Sequence, residues 1–247
     1  LEYLSTHPMY ENRIANIQNR SSVQANPIKN STDDYIYVKN ILEVSITNDI
    51  NNNIKLLTNK DEYSKHKLAL LYHKKSDYKN AYNVILPAYK NNPNNLYLSL
   101  MYAKILIGQD KIDEGLIVLN NLKNIYPLNT VISFTIAEIL IENGINLDYA
   151  EKLLEPLENH YSLNPNYLRI ISKLYTLKKS QFKAAISRAN YYELLDDIDM
   201  SLEVLDNAIR SNEMNRMQKK ILESKKLNII CSNPRALEPI FGEKTCN

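Results

Sequence analysis

A 34-residue period runs through the middle of this chain, and few architectures can satisfy it. Pro93 and Pro127 stand 34 residues apart, as do Ala69 and Ala103, Ala103 and Ala137, and Ala81 and Gly115. Each period holds two small residues set among large apolar ones at helical spacing, which describes two helices crossing at close range. The small side chains let the helices approach, the large ones fill the space around the crossing, and proline ends the second helix because its ring cannot continue the hydrogen-bond ladder. One such hairpin cannot bury its own apolar face, so its neighbours must stack on it. Only 4 Gly and 9 Pro occur in 247 residues, which disfavours a chain of many β-hairpins and favours an all-α one. Helices are predicted at 62–75, 78–91, 96–108, 112–125, 130–143, 147–160, 166–178, 181–195, 198–211 and 214–229.

The first unit reads Leu68, Ala69, Tyr72, Ala81, Ile85, Ala88 and Pro93; the second reads Tyr102, Ala103, Leu106, Gly115, Leu119, Leu122 and Pro127 in the same register. The third begins with Ile136, Ala137 and Leu140, slips by one to Ala150, Leu154 and Leu157, and ends at Pro165. A later segment regains the spacing with Ala189, Tyr192, Ser201, Leu205 and Ala208. This order of types resembles the tetratricopeptide repeat. The resemblance implies an all-α right-handed superhelix, an α-α solenoid, over 61–230, with the extra helix at 166–178 making the fourth unit irregular. In that family the first helix of each pair lines a concave, peptide-holding surface. Carried onto this chain, its facing positions are Tyr63, His66, Leu70 and His73, then Tyr97, Leu100, Lys104 and Ile107, then Val131, Phe134, Glu138 and Ile141. That set suits apolar capture of an extended or helical peptide. It lacks the Lys and Asn set of a carboxylate clamp, which disfavours a cytosolic chaperone adaptor. The N-terminal helix or a protease domain covering part of the groove is the alternative expectation.

Upstream, Met9 to Arg20 is a short amphipathic stretch with Ile14, Ala15 and Ile17 on one face, followed by a polar linker to about Asp33. A capping helix is predicted at about 33–47, within a 33–60 segment, with Tyr35, Val38, Ile41, Leu42 and Val44 as its apolar stripe. The string Leu4, Ser5, Thr6, His7, Pro8, Glu11, Arg13, Ile14 and Arg20, running into a repeat array, resembles the end of the protease domain in periplasmic zinc metallopeptidases of the BepA kind. The resemblance implies that 1–32 is the tail of a peptidase domain plus linker and that the parent protein holds zinc. It also implies a periplasmic location and recruitment of outer-membrane proteins or their assembly machinery through the array. His7 matches a family position that can offer a regulatory zinc ligand; in this chain alone it reads equally as an exposed loop residue. The chain opens at Leu1 rather than Met, so an upstream segment is expected.

Other classes are less well served. The family's H-E-x-x-H ligand set is absent, so this chain is not expected to be an enzyme or to hold a cofactor itself. His66 and His73 lie nearly two turns apart and cannot share an ion. Asp196 with Asp197, and Glu142 with Asp148, sit at predicted helix ends, where solvation and the helix dipole account for them. The Asn19 and Asn30 acceptor patterns carry no weight in an Asn-rich chain. With 30 basic against 28 acidic residues the net charge is +2, which offers nucleic acid no electrostatic footprint. No apolar run approaches the ~18 residues of a transmembrane helix. Cys231 and Cys246, in or beside a 231–247 tail, form one disulfide or remain two thiols according to compartment. A free-standing scaffold or co-chaperone without a protease domain is the competing function.

Overall fold

The structure, a computed structural model, describes residues 32–57 and 61–233, and helices account for most of them. In chain order these are α1 (Thr32–Ile46), α2 (Ile50–Leu56), α3 (Glu62–Lys74), α4 (Tyr78–Asn91), α5 (Leu96–Gly108), α6 (Ile112–Ile125), α7 (Thr130–Glu142) and α8 (Leu147–Leu154). A 3-10 turn, Glu155–Leu157, leads into α9 (Glu158–Tyr161), then α10 (Pro165–Leu177), α11 (Gln181–Leu194), α12 (Ile198–Arg210) and α13 (Arg216–Ser232). No strand occurs among the described residues.

The many Asn and Asp residues explain where these helices start. Asp61, Asp77, Asn95, Asn129, Asn164 and Asp197 are N-caps whose side chains accept from backbone N–H groups of the first turn. Such caps satisfy donors that the helix itself leaves open. Asn215 goes further and forms a capping box with Gln218. Within each hairpin the turn holds a left-handed residue: Ser76, Asp110, Gly144 with Asn146, Lys179 and Asp196. A six-to-one bond closes four of these turns, from Asp77 N to Tyr72 O, Ile145 N to Leu140 O, Ser180 N to Tyr175 O and Asp197 N to Tyr192 O.

That last pair of turns explains the irregular fourth unit. α10 and α11 are joined by a tight intra-hairpin turn, and so are α11 and α12, so three helices follow one another where the repeat has two. α11 therefore plays second helix to α10 and first helix to α12. The close crossing of α11 and α12 is made by fully buried Ala189 and Ser201, with the Ser201 hydroxyl donating to Ala189 O at 3.0 Å. The predicted helix over 147–160 is broken in the structure: Pro156 has no N–H to give, and the chain passes through a 3-10 turn before α9. α2, seven residues rich in Asn and capped by Asp49, has no counterpart in the predicted helices.

The chain divides into two compact units, Leu1–Gln109 and Asp110–Asn247. In the first, Ala69, Ala81, Ile85, Ala88, Leu98, Met101 and Ile105 form the core, ringed by tyrosines. In the second, Ala189, Leu205, Met214, Leu222 and Ile229 form a core of their own around α11 to α13. Cys231 is disulfide-bonded; Cys246 lies outside the described residues.

Gly108, the last residue of α5, is required by packing. A Cβ there would stand 2.3 Å from Cε1 of Tyr78, whose ring also meets His73 edge-on at 5.3 Å between centroids. Gly108→Ala is expected to cost about 1–3 kcal/mol through overpacking, against a helix-propensity gain of about 1 kcal/mol. Denaturant unfolding checks this, and in a Tyr78→Ala background the same substitution should become neutral or stabilising.

Candidate protein-binding surface

Helix α1 docks on α3, and the docking side chain is Tyr37. It is 0% exposed, stacked on Tyr97 at 4.9 Å and 14°, edge-on to His66 at 5.0 Å, and tilted against Tyr63 at 5.1 Å. Three of the residues predicted to face a ligand thus already hold an aromatic side chain of the same chain. Polar contacts fix the pose: Asn40 Nδ2 donates to Tyr63 O at 3.0 Å, Tyr63 Oη donates to Asp33 at 2.6 Å, and Lys67 pairs with Glu43. Lys74 Nζ donates to the carbonyls of Val44, Ser45 and Thr47 at 2.8, 3.0 and 2.9 Å, neutralising the C-terminal end of α1.

The apolar stripe expected on this helix is rotated. Tyr35, Val38, Ile41 and Leu42 are exposed, while Tyr37, Asn40 and Val44 are buried. Helix 33–47 carries two stripes, and the aromatic notch of Tyr63, His66 and Tyr97 selects the one that can fill it. The i, i+3, i+7 spacing of Tyr37, Asn40 and Val44 was present in the sequence, masked by the polar Asn40.

The notch is electrostatically poor. Neither the Tyr37 hydroxyl nor His66 Nδ1 has a hydrogen-bond partner, although the hydroxyl lies beside the Glu62 carboxylate outside bonding geometry. Burial, followed by Glu62, pushes the Tyr37 phenol far above its ordinary value. The hydrogen bond to Asp33 pushes Tyr63 up to about 12. Burial pushes His66, 1% exposed, down to about 4. An orphaned buried polar group costs on the order of 1–3 kcal/mol, so α1 is held by its ring contacts against a real penalty.

The rest of the predicted surface is mixed. In the first unit Leu70, His73, Leu100 and Ile107 are half-buried along α3 and α5, and Lys104 is exposed and close enough to His73 to help burial lower its pKa. In the second unit Val131 is 50% exposed. Phe134 stacks on Tyr161 at 6.2 Å, and Glu138 is tied to Arg169 at 3.2 Å. Two placements correct the sequence-based expectation. His66 lies under Tyr37 rather than open to a ligand, and Ile141 is fully buried; the repeat register assigns a helix face but not what comes to cover it.

The acidic pairs are structural. Asp197 caps α12, Asp148 pairs with Lys178, and Glu142 is held below the usual carboxylate range by Lys173 and Arg169. Among the described residues no cluster of three His, Cys, Asp or Glu side chains could hold a metal, and no helix is long and apolar enough to cross a membrane. His7 lies outside the described residues.

Against known families, the model described as anaphase-promoting complex, cyclosome, subunit 3, a tetratricopeptide-type family, matches residues 53–122. Against curated proteins, the chain is 23% identical over 235 residues to the β-barrel assembly-enhancing proteases of Escherichia coli (strain K12), Shigella flexneri and Escherichia coli O157:H7. The match covers 88% of this chain and 46% of each relative, so the chain spans about half their length. The helical hairpins and these two matches give the chain the fold of a tetratricopeptide-type helical repeat and a sequence similar to part of the β-barrel assembly-enhancing proteases.

Proposed function

We propose that the chain is the protein-interaction module of a larger periplasmic zinc metallopeptidase, and that it recruits outer-membrane β-barrel proteins or their assembly machinery. The observation that carries this is a succession of helical hairpins, with first-helix positions Leu70, Leu100, Lys104, Ile107 and Val131 half-buried or exposed, in a chain whose relatives are named for β-barrel assembly. Nothing among the described residues could hold the zinc, which on this reading belongs to the peptidase part, with His7 as an added ligand there. The module's own work is capture by apolar contact, along α3 and α5 in the first unit and along α7 in the second.

Immobilised chain is expected to recover β-barrel outer-membrane proteins or subunits of their assembly machinery from an envelope extract. Lys104→Glu combined with Val131→Asp, both at exposed positions, should cut that recovery at least about fivefold, a loss near 1 kcal/mol. Equal recovery by the two proteins, with matching circular dichroism, counts against the surface.

A further inference from the structure

A cavity of about 660 Å³ opens in the second unit, and it shares no residue with the surface above. One wall comes from α8, the 3-10 turn and α9. There Asp148, Glu151, Glu155 and Glu158 all line the cavity. The floor is α10, which contributes Tyr167, Leu168, Ile171 and Tyr175. α11 supplies the opposite wall through Ile186, Ser187 and Asn190. The space lies between the α8–α9 segment and the hairpin of α10 and α11.

The charges of the wall are only partly spent within the chain. Lys178 pairs with Asp148 at 2.6 Å and with Glu151, and Lys183 meets Glu151 at 3.6 Å. Glu155 and Glu158 have no ion-pair or hydrogen-bond partner among the described residues, and against the four acids the lining offers two cations, Lys152 and Lys183. Across the floor, Ser187 is only 8% exposed and its hydroxyl has no hydrogen-bond partner among the described residues. On the neighbouring helix α10 the Thr176 hydroxyl bonds back one turn, to Ser172 O at 2.9 Å. Ser187 makes no such bond, and its hydroxyl opens on the cavity, where it can both donate to and accept from a ligand.

We propose that this cavity binds a peptide segment that carries lysine or arginine next to an apolar residue. The cation meets Glu155 and Glu158, the apolar side chain lies on Leu168, Ile171 and Ile186, and Ser187 with Asn190 takes the peptide backbone. The volume falls within the range of about 300–1,000 Å³ that ligand sites occupy. An acidic segment is refused by the same wall.

The test is fluorescence anisotropy of the full chain with fluorescein-labelled Gly-Arg-Leu-Lys-Phe-amide and its counterpart Gly-Glu-Leu-Glu-Phe-amide. The basic peptide is expected to bind saturably and the acidic one not to. Glu155→Gln with Glu158→Gln, both on an exposed rim, should weaken binding at least about tenfold, and Ser187→Ala by a few-fold, with unchanged thermal melting. Lys104→Glu should leave the peptide's affinity unaltered, which separates this site from the surface on α3 and α5. No saturable binding, equal binding of the acidic peptide, or full affinity in the double variant overturns the proposal.

Discussion

Tyr37→Ala releases α1 from α3, while Tyr37→Phe holds it at least as firmly as the natural residue. Removing a fully buried aromatic ring costs about 3–5 kcal/mol. Part of that is returned, on the order of 1 kcal/mol, because the substitution also removes a buried hydroxyl that has no hydrogen-bond partner. The net loss is about 2–4 kcal/mol, enough to undock a helix attached mainly by one ring, three polar contacts and a lysine cap. Phenylalanine keeps the stacking on Tyr97 and the edge contact with His66 and discards only the orphaned group. Hydrogen exchange reads the difference directly: amides of α1 lose protection in the alanine variant and those of α5 keep theirs. Unchanged α1 protection in Tyr37→Ala, or clear destabilisation by Tyr37→Phe, would contradict the aromatic-plug account. The released state matters for function, since it uncovers Tyr63 and Tyr97 and lengthens the surface open to a partner. Recovery of β-barrel proteins should then rise in the alanine variant.

The parts of this molecule that were legible in its sequence are those decided locally. Starts of α3 to α8 and of α10 to α12 agree with spacing to within a residue, because Asp and Asn caps and small crossing residues act within a turn or two of themselves. The extra helix was readable for the same reason, through the loss of register after Leu140 and its recovery at Ala189 and Ser201. What escaped was decided at a distance. The rotation of α1 depends on a notch built from two other helices, so no pattern within 33–47 could choose between its stripes. His66 and Ile141 hold ligand-facing register positions and are buried nonetheless. The acids of the α8–α9 segment could be counted in the sequence, but Ser187 on the same cavity required the hairpin of α10 and α11. α2 fell to its Asn run, whose low helix propensity is overridden by the Asp49 cap and the bond from Lys75 Nζ to Asn51.

Acid weakens this fold through His66, and His66→Phe removes that weakness. In the unfolded chain the imidazole takes up a proton near pH 6.5, whereas burial holds it neutral in the folded chain down to about 4. Between those values the unfolded state binds more protons, so stability rises with pH: the full contribution is present above pH 6.5 and is lost as pH falls towards 4. The corresponding loss is about 3 kcal/mol, a large share of the stability of a domain of this size. No carboxylate rescues the charged form. The rings packed against it edge-on are those of Tyr37 and Tyr97, and burial is the whole cause of the shift. His73 moves in the same direction, from burial first and Lys104 second, but it is half-buried and solvent reduces its share. Phenylalanine at 66 keeps an aromatic ring in the notch, discards the orphaned Nδ1 and should be near neutral, within about 1.5 kcal/mol, at pH 7. Urea unfolding from pH 7 to 4 should therefore show the natural chain losing about 3 kcal/mol more than the variant, with the acid-labile region centred on α1 and α3. Parallel stability curves for the two proteins would mean that the proton is taken up elsewhere, and that the notch beneath Tyr37 admits water.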